Sequence, residues 1–149
     1  MKRVLFLLFF VGIAFSCEKE LYTTIPAGYP VRIELWLETR DSDLKAKLAF
    51  KKFEQRRTDL DRLGYGGILV INGIGDLINL YAYDLACPVE IDYNIKIVPD
   101  KSGITATCPE CGAVFIIADG SGMPQSGTKY SLRPYRVRDN KNGTYTVTN

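Results

Sequence analysis

Hydrophobic and polar positions alternate with a period of two over much of this chain. Val31, Ile33, Leu35 and Leu37 fall on one face, and Arg32, Glu34 and Trp36 on the other. That pattern predicts a half-buried strand. Trp36, on the polar face, is expected to pack under the segment that follows, since a ring of that size gains most when covered. Glu38 to Asp43 is polar and reads as a turn. Leu44 to Phe53 fits both a strand alternation and a helical stripe. A loop followed by a strand near Ala49 to Glu54 is the reading taken. Gln55 to Arg62 mixes arginines with aspartates and is expected to be a solvated loop with local ion pairs, each worth little. Gly64 to Gly67 is a turn. Ile68 to Ile71 is a short continuous apolar run, which predicts a buried strand. Asn72-Gly73 and Gly75-Asp76 supply hairpin chemistry, because these residues tolerate positive φ. Leu77 to Ala82 is the expected returning strand.

The second half continues in the same style. Ile91, Tyr93, Ile95 and Ile97 alternate, which predicts a strand over Ile91 to Val98. Asp100 to Gly103 is a turn, and Ile104 to Thr107 and Ala113 to Ile117 are short strands. Gly120 to Gly127 is a glycine- and proline-bearing loop. Tyr130 to Val137 and Gly143 to Val147 form a last hairpin, turned by Asn140 to Gly143. Short strands at this spacing, with no helix of useful length, predict an all-β antiparallel sandwich or barrel.

The first residues have a different pattern. Lys2-Arg3 is followed by a 12-residue apolar run, Val4 to Phe15. That is too short to span a bilayer as a helix and suits a signal-peptide core. Ala14-Phe15-Ser16-Cys17 resembles a bacterial lipobox. The resemblance implies cleavage after Ser16, lipid attachment at Cys17, and a membrane partner through that lipid. Residues 1–16 are then a signal peptide, 17–30 an anchor and extended linker, and 31–149 one domain. The expected location is the bacterial cell envelope, at the outer membrane. Without Lys2 and Arg3, basic and acidic residues balance at 17 each. Nucleic-acid binding, which needs a basic face, is not expected.

The candidate chemistry lies between Tyr81 and Gly120. Cys87-Pro88-Val89 and Cys108-Pro109-Glu110-Cys111-Gly112 sit at the ends of strand-like runs, with 20 residues between Cys87 and Cys108. Tyr83-Asp84 approaches the first turn. Gly112, Phe115, Asp119-Gly120 and the ending Leu132, Tyr135, Val137 follow the second. This arrangement resembles the two-loop signature of Rieske iron–sulfur domains, C-x-H and then C-x-x-H-G, over residues 65 to 148. The resemblance implies a Rieske-like β-domain with a small loop-rich subdomain of the cluster-binding type. It also implies that Cys87 and Cys108 meet at one site, under a proline-bearing loop. The departure is that the chain has no histidine. Val89 and Cys111 stand at the two histidine positions, and a Rieske centre needs both imidazoles.

Three thiols without histidine admit several outcomes. Cys87 can pair with Cys108 or Cys111 in a disulfide, as an oxidising envelope favours. Cys87, Cys108 and Cys111 can ligate zinc, with Glu90, Asp92, Glu110 or a water as a fourth ligand. They can hold a non-standard [2Fe-2S] cluster, which would make the protein an electron carrier. Cys108-x-x-Cys111 can exchange thiols, given a feature that lowers its pKa. Catalysis is not expected. The commonest general base is missing, and Ser121, Ser126 and Ser131 lack elbow spacing. Asp84 and Asp119 are expected as turn residues. The expected function is a binding or structural module, its partner an unidentified envelope protein or ligand.

Overall fold

The computed structural model describes residues 22–149. Lys2-Arg3, the apolar run and Cys17 lie outside the described residues. Among the described residues, eleven strands form two antiparallel sheets. The larger has seven strands and is a nearly closed barrel. In chain order they are β1 (Val31–Trp36), β2 (Phe50–Phe53), β3 (Arg62–Leu63), β4 (Ile68–Asn72), β5 (Leu80–Asp84), β6 (Val98–Pro99), β7 (Thr105–Thr107), β8 (Val114–Ile116), β9 (Pro124–Ser126), β10 (Pro134–Asp139) and β11 (Thr144–Thr148). The large sheet runs β2-β4-β5-β10-β11-β1-β3, and the small one β6-β7-β8-β9. Among the described residues the one helical piece is a 3-10 turn at Ser42–Lys45, which buries Leu44.

β4 and β5 organise the molecule because both of their faces are covered. Ile68 and Val70 of β4, with Leu80 and Ala82 of β5, point into the barrel beside Ile33, Leu35 and Val147. Leu69, Ile71 and Tyr83 point the other way, into a second core with Leu85, Ile97, Phe115, Ile117 and Leu132. The continuous apolar run at 68–71 follows from this double burial. Each fully buried aliphatic side chain contributes about 1.5–3 kcal/mol. Alternation at β1 places Ile33 and Leu35 inside and Arg32 and Glu34 outside. The second core lies under the small sheet, which is therefore fixed to the barrel wall.

Several expectations need correction. Ile91 to Val98 is not a strand. Lys96 makes a lone bridge to Ala86, and only Val98–Pro99 pairs as β6. Ile91 instead takes φ 53°, a conformation a β-branched residue rarely adopts. The returning strand begins at Leu80, after a 73–79 loop closed by Gly73 N–H to Asn79 O at 2.9 Å. Leu77 is 84% exposed. Trp36 is only partly covered by the next segment, through Arg40, and stays 41% exposed. It lies at the surface, with the Arg40 guanidinium 5.6 Å over its ring. Residues 22–30, expected as part of a linker, dock on the domain. Ser131 N–H donates to Tyr22 O, Arg133 donates to Ile25 O, and Ile25 is buried.

The 55–62 loop is also more than a solvated turn. Arg57 Nη1 donates to both carboxylate oxygens of buried Asp41, at 2.8 and 3.0 Å. Its Nη2 donates to Glu34 O at 2.6 Å. Lys51 Nζ reaches Asp41 at 3.0 Å, and Trp36 N–H donates to it at 2.9 Å. Asp41 follows β1, whereas Lys51 lies on the edge strand β2. The gap left by the hydrogen-bond ladder is thus bridged by charge. Burial alone would raise the Asp41 pKa. The Trp36 amide, Lys51 and Arg57 outweigh it and hold the carboxyl below its ordinary value.

Candidate metal centre

Both cysteine loops are hairpin ends on the small subdomain. Cys87 follows β5 and precedes the Lys96 bridge. Cys108 and Cys111 lie between β7 and β8. The two loops carry the same turn. Ile91 N–H donates to Cys87 O at 3.0 Å, and Gly112 N–H donates to Cys108 O at 3.0 Å. In each, the fifth residue has positive φ: 53° at Ile91 and 70° at Gly112. Cys87 N–H closes its loop on Ile95 O, and Cys108 N–H closes its own on Ala113 O.

The fold brings the three sulfurs together. Their Sγ atoms all lie within 4.8 Å of one another, and Cys87 and Cys111 are 3.7 Å apart. All three are free cysteines; Cys87 and Cys108 are buried and Cys111 is exposed. A tetrahedral zinc with bonds of about 2.3 Å has sulfurs about 3.8 Å apart. The Cys87–Cys111 separation matches such an edge. A disulfide would bring two sulfurs to about 2 Å and leave the third outside the bond.

Backbone amides point at the sulfurs. Those of Val89 and Glu90 donate to Cys87, and that of Ala113 donates to Cys111. Such bonds favour the thiolate. For Cys87 burial wins over them, and its pKa is pushed up to about 12. The Cys111 thiol is also raised, first by burial. Thiol exchange needs a depressed pKa, and the exposed Cys111 thiol is raised instead. A bound cation would reverse this balance, since a coordinating thiol is deprotonated outright.

The segment before β1 and the turn between β3 and β4 anchor the first loop from two sides. Thr24 Oγ1 donates to Pro88 O, and Tyr65 Oη donates to Ile91 O at 2.7 Å. The second bond holds the residue with the unusual φ. Tyr65 itself is fixed by Asp84, whose carboxylate accepts from Tyr65 N–H, Gly66 N–H and Ala86 N–H at 2.8–2.9 Å, and from Tyr135 Oη. Asp84 is fully buried. It is a hub between the barrel and the first cysteine loop, a larger role than the turn residue expected. Burial and the Asp84 charge push the Tyr135 phenol well above its usual range. The hub was hidden in the sequence because its donors come from positions 65, 66, 86 and 135. Asp119 is the turn residue expected, accepting from Ser121 N–H and Oγ.

The residues do not fit a Rieske centre. Val89 packs on the second core and offers no donor atom, and position 111 offers sulfur. The loop expected to cover the cysteines forms β9 in part, paired with β8 through Val114–Ser126 and Phe115–Pro124. No helix among the described residues is long and apolar enough to cross a membrane. No protein-family model and no curated protein sequence matches this chain.

Proposed function

We propose that this protein is a lipid-anchored module of the bacterial envelope with a Rieske-like β-domain. Its two cysteine loops hold one structural metal ion of the zinc type in place of an iron–sulfur centre. It works as a binding or structural module rather than as a catalyst. The observation that carries this reading is the convergence of Cys87, Cys108 and Cys111 within 4.8 Å, with the 3.7 Å Cys87–Cys111 separation at the edge length of a single tetrahedral ion. Three sulfurs within 4.8 Å of one another suit a soft divalent cation. A disulfide uses only two of them. A dinuclear cluster would set sulfurs on different irons further apart than one tetrahedral edge.

The metal's role is local. It would tie the loop after β5 to the loop between β7 and β8, pinning the small sheet at its open end. Structural zinc contributes folding free energy directly. It would also protect the thiols from pairing in an oxidising compartment.

The test is metal analysis with a thiol count on full-length protein purified without oxygen or chelator. One zinc per chain, with three thiols released for alkylation by chelator, is the expected result. Visible absorption with two irons per chain would establish the electron-carrier reading instead. One thiol and no metal would establish the disulfide. Incorporation of labelled fatty acid, abolished by Cys17→Ser, tests the anchor separately.

A further inference from the structure

The Cys87 loop reads Cys-Pro-Val-Glu-Ile, and the Cys108 loop reads Cys-Pro-Glu-Cys-Gly. They share more than spacing. Each begins with cysteine and proline and closes with the N–H of its fifth residue on the cysteine carbonyl, at 3.0 Å in both. Each holds that fifth residue at positive φ. Aligned by this shared turn, Cys87 matches Cys108 and Ile91 matches Gly112. Glu90 then matches Cys111, the second ligand of its loop.

Resting on the metal site proposed above, we infer that Glu90 is its fourth ligand, making an S₃O centre from Cys87, Cys108, Cys111 and the Glu90 carboxylate. Four observations support the assignment. The Ile91 N–H donates to Cys87 O at 3.0 Å, so the turn folds the backbone at position 90 back beside Cys87. Glu90 is exposed and its carboxylate lies outside the three-sulfur group, but it makes no side-chain hydrogen bond or ion pair among the described residues, which leaves it free to turn inward. Its competitors are worse placed. Asp92 Oδ1 accepts from both the backbone and side-chain amides of Asn94, at 2.8 and 3.1 Å. Glu110 stands third in its loop, matching Val89 rather than a ligand.

Ile91 is the fourth observation. A β-branched residue at φ 53° is held where the other loop uses glycine. This conformation disfavours isoleucine, yet the Tyr65 hydroxyl secures it. The turn that puts residue 90 beside the sulfurs is therefore maintained at a cost in backbone strain. At neutral pH three thiolates and a carboxylate would bring four negative charges to one divalent ion. Three protons would leave the thiols on binding.

The experiment titrates full-length protein, reduced and handled without oxygen, with Co²⁺ and then with Zn²⁺ in competition. Glu90→Gln should weaken Zn²⁺ binding about ten- to a hundredfold and shift the cobalt d–d bands. Glu90→Cys should tighten Zn²⁺ binding about tenfold and raise the sulfur-to-cobalt charge-transfer intensity by one thiolate's share. Glu110→Gln and Asp92→Asn should leave affinity and spectrum unchanged. If the protein binds one ion and Glu90→Gln matches wild type, the Glu90 assignment is overturned and the three-sulfur site stands. If wild type binds neither ion, the metal reading itself falls. Position 90 is exposed, and thermal melts of each variant separate ligand loss from misfolding.

Discussion

Arg57→Ala probes the seam that closes the barrel. The side chain makes two charge-assisted hydrogen bonds to buried Asp41 and one to Glu34 O, and stacks 4.6 Å over Phe53. Losing one partner of a buried pair typically destabilises by about 3–5 kcal/mol. Lys51 remains 3.0 Å from Asp41 and keeps its charge partly compensated, which argues for the lower end. A loss of about 3 kcal/mol should lower the melting temperature by roughly 10 °C for a domain of this size. The pH dependence has a definite sign. Asp41 has a depressed folded pKa, so its contribution is complete above the unfolded carboxyl value of about 3.9. It is lost as pH falls through the folded value. Wild type and variant should therefore differ most near neutral pH and converge below about pH 4. Asp41→Asn in the Arg57→Ala background should recover part of the loss. Thermal and urea melts from pH 3 to 8 measure all of this. A fall of less than about 2 °C at neutral pH, with no pH dependence in the difference, would refute the claim that charge closes the seam.

Three further outcomes follow from particular contacts. Tyr135→Phe removes one donor from buried Asp84 and should cost about 1–3 kcal/mol, read in urea melts, while leaving metal content unchanged. Ile91→Gly removes the side chain from a left-handed backbone that disfavours it by about 1–2 kcal/mol. It should therefore be neutral to slightly stabilising, and a marked loss would mean that the Ile91 side chain itself supports the loop. Chelator should lower the melting temperature of anaerobically purified protein and Zn²⁺ should restore it, by about 2.7 kcal/mol when free metal is a hundred times its dissociation constant.

The sequence by itself determined the all-β class, the inward and outward faces of β1 and the turns at 64–67, 100–103 and 140–143. It also singled out both cysteine loops. These are local matters: a period of two selects a half-buried strand, and glycine or asparagine selects a turn, whatever the rest of the chain does. Misreadings arose where tertiary partners decide. Ile91 to Ile97 alternates like a strand, but no neighbouring strand pairs along its length, and the Tyr65 hydroxyl bends its start into the turn. Residues 22–30 look like a linker until Ser131 and Arg133 supply partners for their carbonyls. Arg57 and Asp61 look solvated until Asp41, 16 residues before Arg57, is seen to be buried against the guanidinium. Sequence spacing named three cysteines, but only the packing of two hairpins on one core set their sulfurs within a single ion's reach. That convergence depends on contacts between residues far apart in the chain, and no local pattern encodes a distance between two loops.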